Sequence, residues 1–104
     1  MWFFVNAFIL ILFTSSFFAS GEEKEPIVLG TSSALSGPAA QLGLKLNLGA
    51  TLYFDKINRG GGVFGRQIKL VSVDDGYEPF RTVGNTLELI KEHQVFALFN
   101  YVGT

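Results

Sequence analysis

The sequence predicts an α/β fold in which three strands and two helices alternate in the order β-α-β-α-β. Three observations support this prediction. Apolar runs at 27–31 and 95–99 and an alternating pattern at 66–73 are typical of strands, two segments with helical periodicity separate them, and a glycine-rich reversal follows the first helix. Alternating strands and helices imply a parallel sheet joined by right-handed crossovers, with helices on both faces.

The first strand and its loop are predicted from the residues that flank them. Pro26 precedes the apolar run of residues 27–31, which suits a strand buried on both faces. Residues 32–38 are rich in Ser, Gly and Pro and predict a loop, with Ser36 placed to cap a helix and Pro38 in the first helical turn. Ser36 is explained at least as well by capping alone as by contact with a ligand.

The first helix is predicted over residues 41–58, although a strand pattern competes with it. Leucines occupy every second position from Leu42 to Leu48, which alone would indicate a strand. A helical face also runs up to the glycines, through Leu42, Leu46, Gly49, Ala50, Tyr53 and Ile57. Length and the glycine stop favour the helix. Gly43 and Gly49 weaken it unless a neighbouring strand approaches closely.

The stretch from Gly60 to Gly65 satisfies the G-x-G-x-x-G pattern of dinucleotide sites. That fingerprint requires a strand before the glycines and a helix after them, so that a helix N-terminus faces the pyrophosphate. Here helical periodicity comes first and strand alternation follows. We therefore interpret the glycines as a helix stop and a turn that uses positive φ angles. A nucleotide-binding enzyme would rest on this pattern alone.

The second half of the chain repeats the alternation. Residues 66–73 predict a strand with apolar residues on both faces, and residues 74–78 a loop. Pro79 begins the second helix, whose apolar positions have the clearest periodicity in the chain: Phe80, Val83, Leu87 and Ile90. A third buried strand at 95–99 and a loop at 100–104 follow.

The first twenty-one residues predict export. Residues 2–19 are almost wholly apolar, and Ala19 and Gly21 fit the small-x-small pattern of signal peptidase cleavage. An uncleaved membrane anchor is the alternative, because about 18 apolar residues also approach the length of a spanning helix. Either way residues 22–104 are expected outside the cytoplasm. That segment is small for an independent domain, and we expect it to be unstable alone and to bind nothing tightly.

Charge and residue content exclude several classes of function. The formal net charge is -1, which gives no basic face for nucleic acid. The absence of Cys excludes a disulfide framework and a thiolate zinc site. His93, the single histidine, is expected in the last turn of the second helix, where a cation suits the helix dipole. No nucleophile, base and orienting group occur together, so we expect neither an enzyme nor a cofactor.

The candidate binding site lies at the carboxyl ends of the strands, where parallel sheets bind ligands. The loops there are 32–42, 74–78 and 100–104, and they carry hydroxyls, glycine amides and the rings of Tyr77 and Tyr101. Such groups suit a small polar or zwitterionic ligand. Asp74 and Asp75 could hold a metal or an ammonium group, but acidic residues before a helix more often serve its N-terminus.

The order and spacing of several short motifs resemble the leucine/isoleucine/valine-binding protein family, the type I periplasmic solute-binding proteins of ABC importers. The resemblance covers nearly all of residues 22–104. It is carried by Ile27-Val28-Leu29-Gly30, Ala34-Leu35-Ser36-Gly37-Pro38-Ala39-Ala40-Gln41-Leu42-Gly43, Phe54-Asp55-Lys56-Ile57-Asn58 with Gly60-Gly61-Gly62, Gly65-Arg66 with Ile68, Asp74-Asp75, Pro79, Ala97-Leu98-Phe99 and Val102-Gly103-Thr104.

The resemblance implies a two-lobed protein that closes on its ligand, of which residues 22–104 supply the first part of the N-terminal lobe. It implies an amino acid or similar ligand and an ABC permease as partner. The loop from Ser36 to Leu42 would face the cleft, and Gly103-Thr104 would meet the ligand carboxylate, with Tyr101 as a further candidate. Relatives that bind branched-chain amino acids have an aromatic residue at position 42 and serines near 103, so Leu42 and Gly103 leave the ligand class open. The sensory ectodomain of a membrane receptor is the alternative function.

Overall fold

A computed structural model describes residues 24–103 of the chain, so the predicted signal peptide or anchor lies outside the described residues. The element order is β1 (Ile27–Ser33), α1 (Ala40–Arg59), β2 (Ile68–Asp74), α2 (Pro79–Lys91) and β3 (Ala97–Leu98). The predicted alternation of strands and helices is confirmed. Within the described residues, no helix is long and apolar enough to span a membrane.

The three strands form one parallel sheet in the order β2-β1-β3. β1 is the central strand and pairs with β2 along its whole length, from Ile27 opposite Ile68 to Ser33 opposite Asp74. β3 pairs with β1 only at Leu29 and Gly30. Because consecutive strand residues face opposite sides, these registers show which side chains of neighbouring strands share a face.

The helices lie on opposite faces of the sheet, as predicted. On the α1 side, Asn47 donates from Nδ2 to Ser72 Oγ at 2.6 Å, and Ser72 pairs with Thr31 in the neighbouring strand. On the other side, Asn85 of α2 donates to Ser32 Oγ at 3.1 Å. Thr31 and Ser32 are consecutive, so their side chains leave β1 in opposite directions.

Gly43 explains how α1 can begin so close to the end of β1. A methyl group on Gly43 would lie 1.9 Å from the carbonyl oxygen of Ala34, so only glycine fits at this crossing. The predicted helix required a neighbouring strand to approach Gly43 closely. That neighbour is Ala34, the residue directly after β1. Nothing lies within 4 Å of the corresponding position at Gly49.

The glycine-rich stretch ends α1 and turns the chain, as predicted. The amides of Gly60, Gly61 and Gly62 donate to carbonyl oxygens of the last helical turn, and Gly61 and Gly62 have φ values of 105° and 78°. Val63 and Arg66 then exchange two backbone hydrogen bonds of 2.8 and 2.9 Å. Arg66 therefore closes the turn, and β2 begins at Ile68 and not at the predicted residue 66.

Two other strand ends differ from the predictions. β1 continues through Ser32 and Ser33, which were expected in a loop, because both residues pair with the end of β2. β3 contains two residues and not the five predicted at 95–99. The amides of Phe96 and Phe99 still donate to β1 carbonyl oxygens, at 2.7 and 2.8 Å, so the predicted run does follow β1.

The interior between α2 and the sheet is small and partly polar. The fully buried apolar side chains among the described residues are Ala34 and Leu89, and buried polar side chains at the carboxyl end of β1 join them. The periodic apolar residues of α2 point elsewhere and are 48–89% exposed: Phe80, Val83, Leu87 and Ile90. The periodicity therefore predicts the helix correctly, but the fully buried apolar side chain of α2 is Leu89.

Candidate functional site

The carboxyl ends of the three strands bring their loops together at one edge of the sheet. Asp74, at the end of β2, accepts a hydrogen bond from the amide of Leu35 in the β1–α1 loop at 2.8 Å. Thr31 Oγ1 donates to the carbonyl oxygen of Asn100 behind β3 at 3.3 Å. The loops 32–42, 74–78 and 100–104 were predicted to share this edge, and their described parts do so.

Asp74 joins two of these loops through its carboxylate. Oδ1 accepts the amides of Leu35 and Gly76, at 2.8 and 2.9 Å, and Oδ2 accepts the hydroxyl of Ser36. Arg81 Nη2 lies 3.9 Å from Oδ2 and donates to the Asp74 carbonyl oxygen at 3.1 Å. The Ser36 hydrogen bond and then the two amides, with a smaller contribution from Arg81, lower the pKa of Asp74 to about 2.

These contacts correct the prediction that Ser36 caps the first helix. The N-cap of α1 is Ala39, and no side chain caps that helix. The Ser36 hydroxyl donates to Asp74 instead, so Ser36 fastens its loop to the end of β2.

Asp75 points into the protein and is 2% exposed. Its carboxylate accepts hydrogen bonds from Ser32 Oγ at 2.8 Å, the Tyr77 amide at 2.8 Å and Thr82 Oγ1 at 3.1 Å. The two carboxylates were expected to serve the N-terminus of α2. Asp75 does accept a hydrogen bond from Thr82 in the first turn of α2. The carboxylate of Asp74 instead accepts the backbone amides of Leu35 and Gly76, which lie outside that helix. Within residues 24–103, no group of three His, Cys, Asp or Glu side chains could hold a metal ion.

An open pocket of about 420 Å³ lies beside this edge, between the first turns of α2 and the segment behind β3. Its wall combines carboxylate, hydroxyl, aromatic and aliphatic groups: Asp75, Tyr77, Pro79, Thr82, Val83, Thr86, Leu87, Tyr101, Val102 and Gly103. The oxygens of Thr86 and Tyr101 are 2.7 Å apart and form a hydrogen bond across it. Gly103 has a φ of 148°, and a methyl group there would lie 3.7 Å from the Tyr77 ring.

The five predicted site residues do not all meet in this pocket. Tyr101 and Gly103 line it. Ser36 lies nearby on the Asp74 side, and a methyl group on Gly76 would be 4.0 Å from its hydroxyl. Leu42 is in the first turn of α1 and is 47% exposed, outside the pocket wall. Thr104 lies outside the described residues.

Sequence reasoning missed the contribution of α2 to this pocket. Thr82 and Thr86 are four residues apart and therefore lie one above the other on the helix. That spacing, which begins seven residues after Asp75, was the available signal. His93 is not part of the edge, because it lies two residues beyond the end of α2, where Nε2 is 3.5 Å from Glu88 Oε1.

A profile described as periplasmic binding protein matches residues 26–104, about three quarters of the chain. The chain belongs to the periplasmic binding protein family. An amino acid binding protein from Pseudomonas aeruginosa is 31% identical to it over 75 residues, which are 72% of this chain and 20% of that protein.

Two solved structures show the same likeness. A possible leucine/isoleucine/valine-binding protein from Rhodopirellula baltica is 40% identical, with a TM-score of 0.76 over 83% of this chain and 23% of the other. The branched-chain amino acid transporter substrate binding protein LivJ from Streptococcus pneumoniae, in complex with isoleucine, is 33% identical, with a TM-score of 0.67 over 70% of this chain and 21% of the other.

These matches confirm the predicted leucine/isoleucine/valine-binding protein family and its type I periplasmic binding protein fold. The named relatives are solute-binding proteins and not enzymes. The chain spans about a fifth of the length of the curated relative and of the two solved structures.

Proposed function

We propose that residues 22–104 form the first part of the N-terminal lobe of an extracytoplasmic solute-binding protein. It follows a signal peptide at residues 1–21. The whole protein captures an amino acid or related small ligand and delivers it to an ABC permease. Specificity comes from closure of two lobes around the ligand and not from chemistry on it.

The observation that carries the proposal is the clustering of ligand-type groups at the carboxyl edge of the parallel sheet. The edge offers the Thr86 and Tyr101 hydroxyls and the backbone of Gly103 beside an open pocket. Hydroxyls and loop amides suit the carboxylate of an amino acid, and the partner of its ammonium group is expected from the second lobe. The likeness to proteins named for amino acid binding supports the same ligand class.

Individual residues have different roles in this proposal. Gly103 and Thr104 meet the ligand carboxylate, and Tyr101 supplies an aromatic wall. Leu42 touches the ligand side chain only in the closed, two-lobed state, which agrees with its exposure of 47% here. Ser36 contributes through its loop, whose position Asp74 fixes.

The test uses the protein expressed from its complete reading frame, unfolded and refolded to remove bound ligand. Its melting temperature is screened against the twenty amino acids and a panel of small carboxylates, and hits are measured by calorimetry. A true ligand at about 100 times its Kd should stabilise the protein by about 2.7 kcal/mol. The proposal is wrong if no compound raises the melting temperature.

Two leucines of α1 give a matched pair of variants. Leu42→Ala should weaken binding about tenfold, because the alanine variant loses the apolar contact between the Leu42 side chain and the ligand. Leu52→Ala removes an equally large side chain that is 61% exposed on the same helix, and it should leave the affinity unchanged. Equal effects of the two variants would contradict the role of Leu42.

The receptor alternative predicts different coding sequence downstream in the same reading frame. A second apolar span and a cytoplasmic domain encoded beyond the codon for Thr104 would favour a sensory ectodomain. Transport assays would then show no dependence on the protein, although ligand binding would remain.

A further inference from the structure

We propose that Asp74 is a positioning residue that holds the β1–α1 loop against the β2–α2 loop and thereby sets the shape of the ligand-facing edge. The inference rests on the proposed function for the identity of that edge. Its geometric part, the joining of two loops by one carboxylate, stands on the contacts alone.

The carboxylate satisfies donors that the strands and helices leave unpaired. The amide of Leu35 follows the last residues of β1, and the amide of Gly76 follows the end of β2, so neither has a place in the sheet. Both donate to Oδ1 of Asp74, within 2.9 Å. A backbone amide without a partner is costly, so loss of this acceptor releases both loops at once.

The other carboxylate oxygen contacts one side chain from the β1–α1 loop and one from α2. Oδ2 accepts the Ser36 hydroxyl and faces Arg81 of the first turn of α2 at 3.9 Å. Hydrogen bonds to an ionised acceptor are roughly twice as strong as neutral ones. The lowered pKa of Asp74 agrees with this, because it means that the loops stabilise the ionised form.

Asp75 cannot perform this role although it is the next residue. Its carboxylate is buried and binds Ser32, Thr82 and the Tyr77 amide, so it fixes the β2–α2 loop to β1 and α2. Among residues 24–103, its carboxylate makes no hydrogen bond or ion pair with the β1–α1 loop. The two consecutive aspartates therefore have different roles. Asp75 holds the β2–α2 loop against β1 and α2, and Asp74 joins the β1–α1 loop to the β2–α2 loop.

The experiment is hydrogen exchange on the protein expressed from its complete reading frame, and its titration with the compound that raises the melting temperature most in the screen of amino acids and small carboxylates. It compares wild type, Asp74→Asn, Asp74→Ala and Ser36→Ala. The amides of Leu35 and Gly76 should exchange about tenfold faster or more in Asp74→Ala, because they lose a charged acceptor. The amides of Asp75 and Glu78 bond to backbone carbonyl oxygens, at 3.0 and 2.9 Å, and should keep their protection.

Ligand affinity is the second measurement. Asp74→Ala should weaken binding about tenfold, measured under conditions in which the free variant is folded. Asp74→Asn and Ser36→Ala should lose less affinity. Asp55→Asn is the matched control, since Asp55 is exposed on α1 and makes no side-chain hydrogen bond or ion pair with another described residue. It should change neither measurement.

Each outcome decides a different statement. Unchanged exchange at Leu35 and Gly76 overturns the joining of the loops. Faster exchange with unchanged affinity overturns the positioning role. If Asp74→Ala does not fold, Ser36→Ala and Asp74→Asn carry the same comparison. If the wild type binds none of the screened compounds, the proposed function fails, and the exchange data still judge the joining of the loops.

Discussion

Replacing Gly43 with alanine should destabilise the protein, although alanine is normally the better helix residue. The added methyl group would lie 1.9 Å from the carbonyl oxygen of Ala34, 2.8 Å from its carbonyl carbon and 3.1 Å from its amide nitrogen. All three are backbone atoms, which cannot rotate away as a side chain would. The start of α1 and the end of β1 would therefore have to move apart.

The magnitude follows from two opposing terms. Ordinary van der Waals contact begins near 3.4 Å, so the methyl group and the oxygen must separate by about 1.5 Å (3.4 minus 1.9). Forcing extra atoms into a packed site costs about 1–3 kcal/mol, and a rigid backbone neighbour puts Gly43 in the upper part of that range. The helix gains about 1 kcal/mol from the exchange of glycine for alanine. The net loss should be about 1–2 kcal/mol.

Gly49 supplies the control, because it lies in the same helix with nothing within 4 Å of the added methyl group. Gly49→Ala should stabilise the protein by about 0.5–1 kcal/mol. The assay is urea unfolding of the complete protein, followed by circular dichroism, with all variants sharing one m-value. If Gly43→Ala were as stabilising as Gly49→Ala, the close approach of Ala34 would be refuted.

Three further variants test other contacts by the same unfolding assay. Asp74→Asn should cost about 1–2 kcal/mol near neutral pH, discounted for the partial exposure of the carboxylate. Because the pKa of Asp74 is lowered from 3.8 to about 2, its contribution is complete above the unfolded value and is lost as the pH falls through about 4 to 2, so the difference between variant and wild type should vanish in acid. Leu89→Ala should lower the free energy of unfolding by about 2–5 kcal/mol because Leu89 is fully buried. Leu87 is 48% exposed, so Leu87→Ala should lower it by less than about half as much. Equal losses in the two variants would contradict the burial of Leu89. Asn58→Ala should cost about 2 kcal/mol, since Asn58 exchanges two hydrogen bonds of 2.7 and 2.9 Å with the backbone of Ile68, and a loss below about 0.5 kcal/mol would argue against them.

The order of elements was predictable because local signals agree with one another along this chain. Pro79 begins α2 where the sequence predicts it, and the glycines from Gly60 end α1 within one residue of the prediction. Proline fixes φ and glycine permits positive φ whatever the surroundings, so their effect survives in the folded protein. The helix–glycine–strand order then removed the dinucleotide interpretation without any knowledge of tertiary contacts.

The strand ends were not predictable for a physical reason. Ser32 and Ser33 have loop-like composition, yet they pair with Val73 and Asp74 because β2 is long enough to offer partners. A residue at the end of a strand is extended when its neighbour is present and free to bend when it is not. Local composition carries no information about that neighbour.

The apolar face of α2 illustrates a second limit. Periodicity identifies a helix and an apolar side, but it does not state what covers that side. Here Leu89 and Asn85 of α2 meet the sheet, and Thr82 bonds to Asp75 just beyond β2. The periodic residues stay at the surface and border the pocket through Val83 and Leu87. The contact of α2 with its own sheet is therefore partly polar, while much of its apolar surface lies on the outer side.

The location of the candidate site was predictable from topology, whereas its construction was not. Carboxyl ends of parallel strands share an edge, so three loops could be assigned to one place before any contact was known. The contacts that join β1 and its loop to the two aspartates, from Ser32, Leu35 and Ser36, span sequence separations of 38 to 43 residues, which no local pattern encodes. Polar side chains make these contacts directional. The β1 and β2 sides of the edge are accordingly fixed by carboxylates with several donors each. Among the described residues, the β3 side is held by single hydrogen bonds at the Asn100 carbonyl oxygen, at Asn100 Nδ2, which donates to the Leu46 carbonyl oxygen, and at the Tyr101 hydroxyl. The wall that carries Tyr101 and Gly103 is therefore the less constrained one, and a ligand that orders it should protect the amides of residues 101–103 from exchange more than those of Leu35 and Gly76.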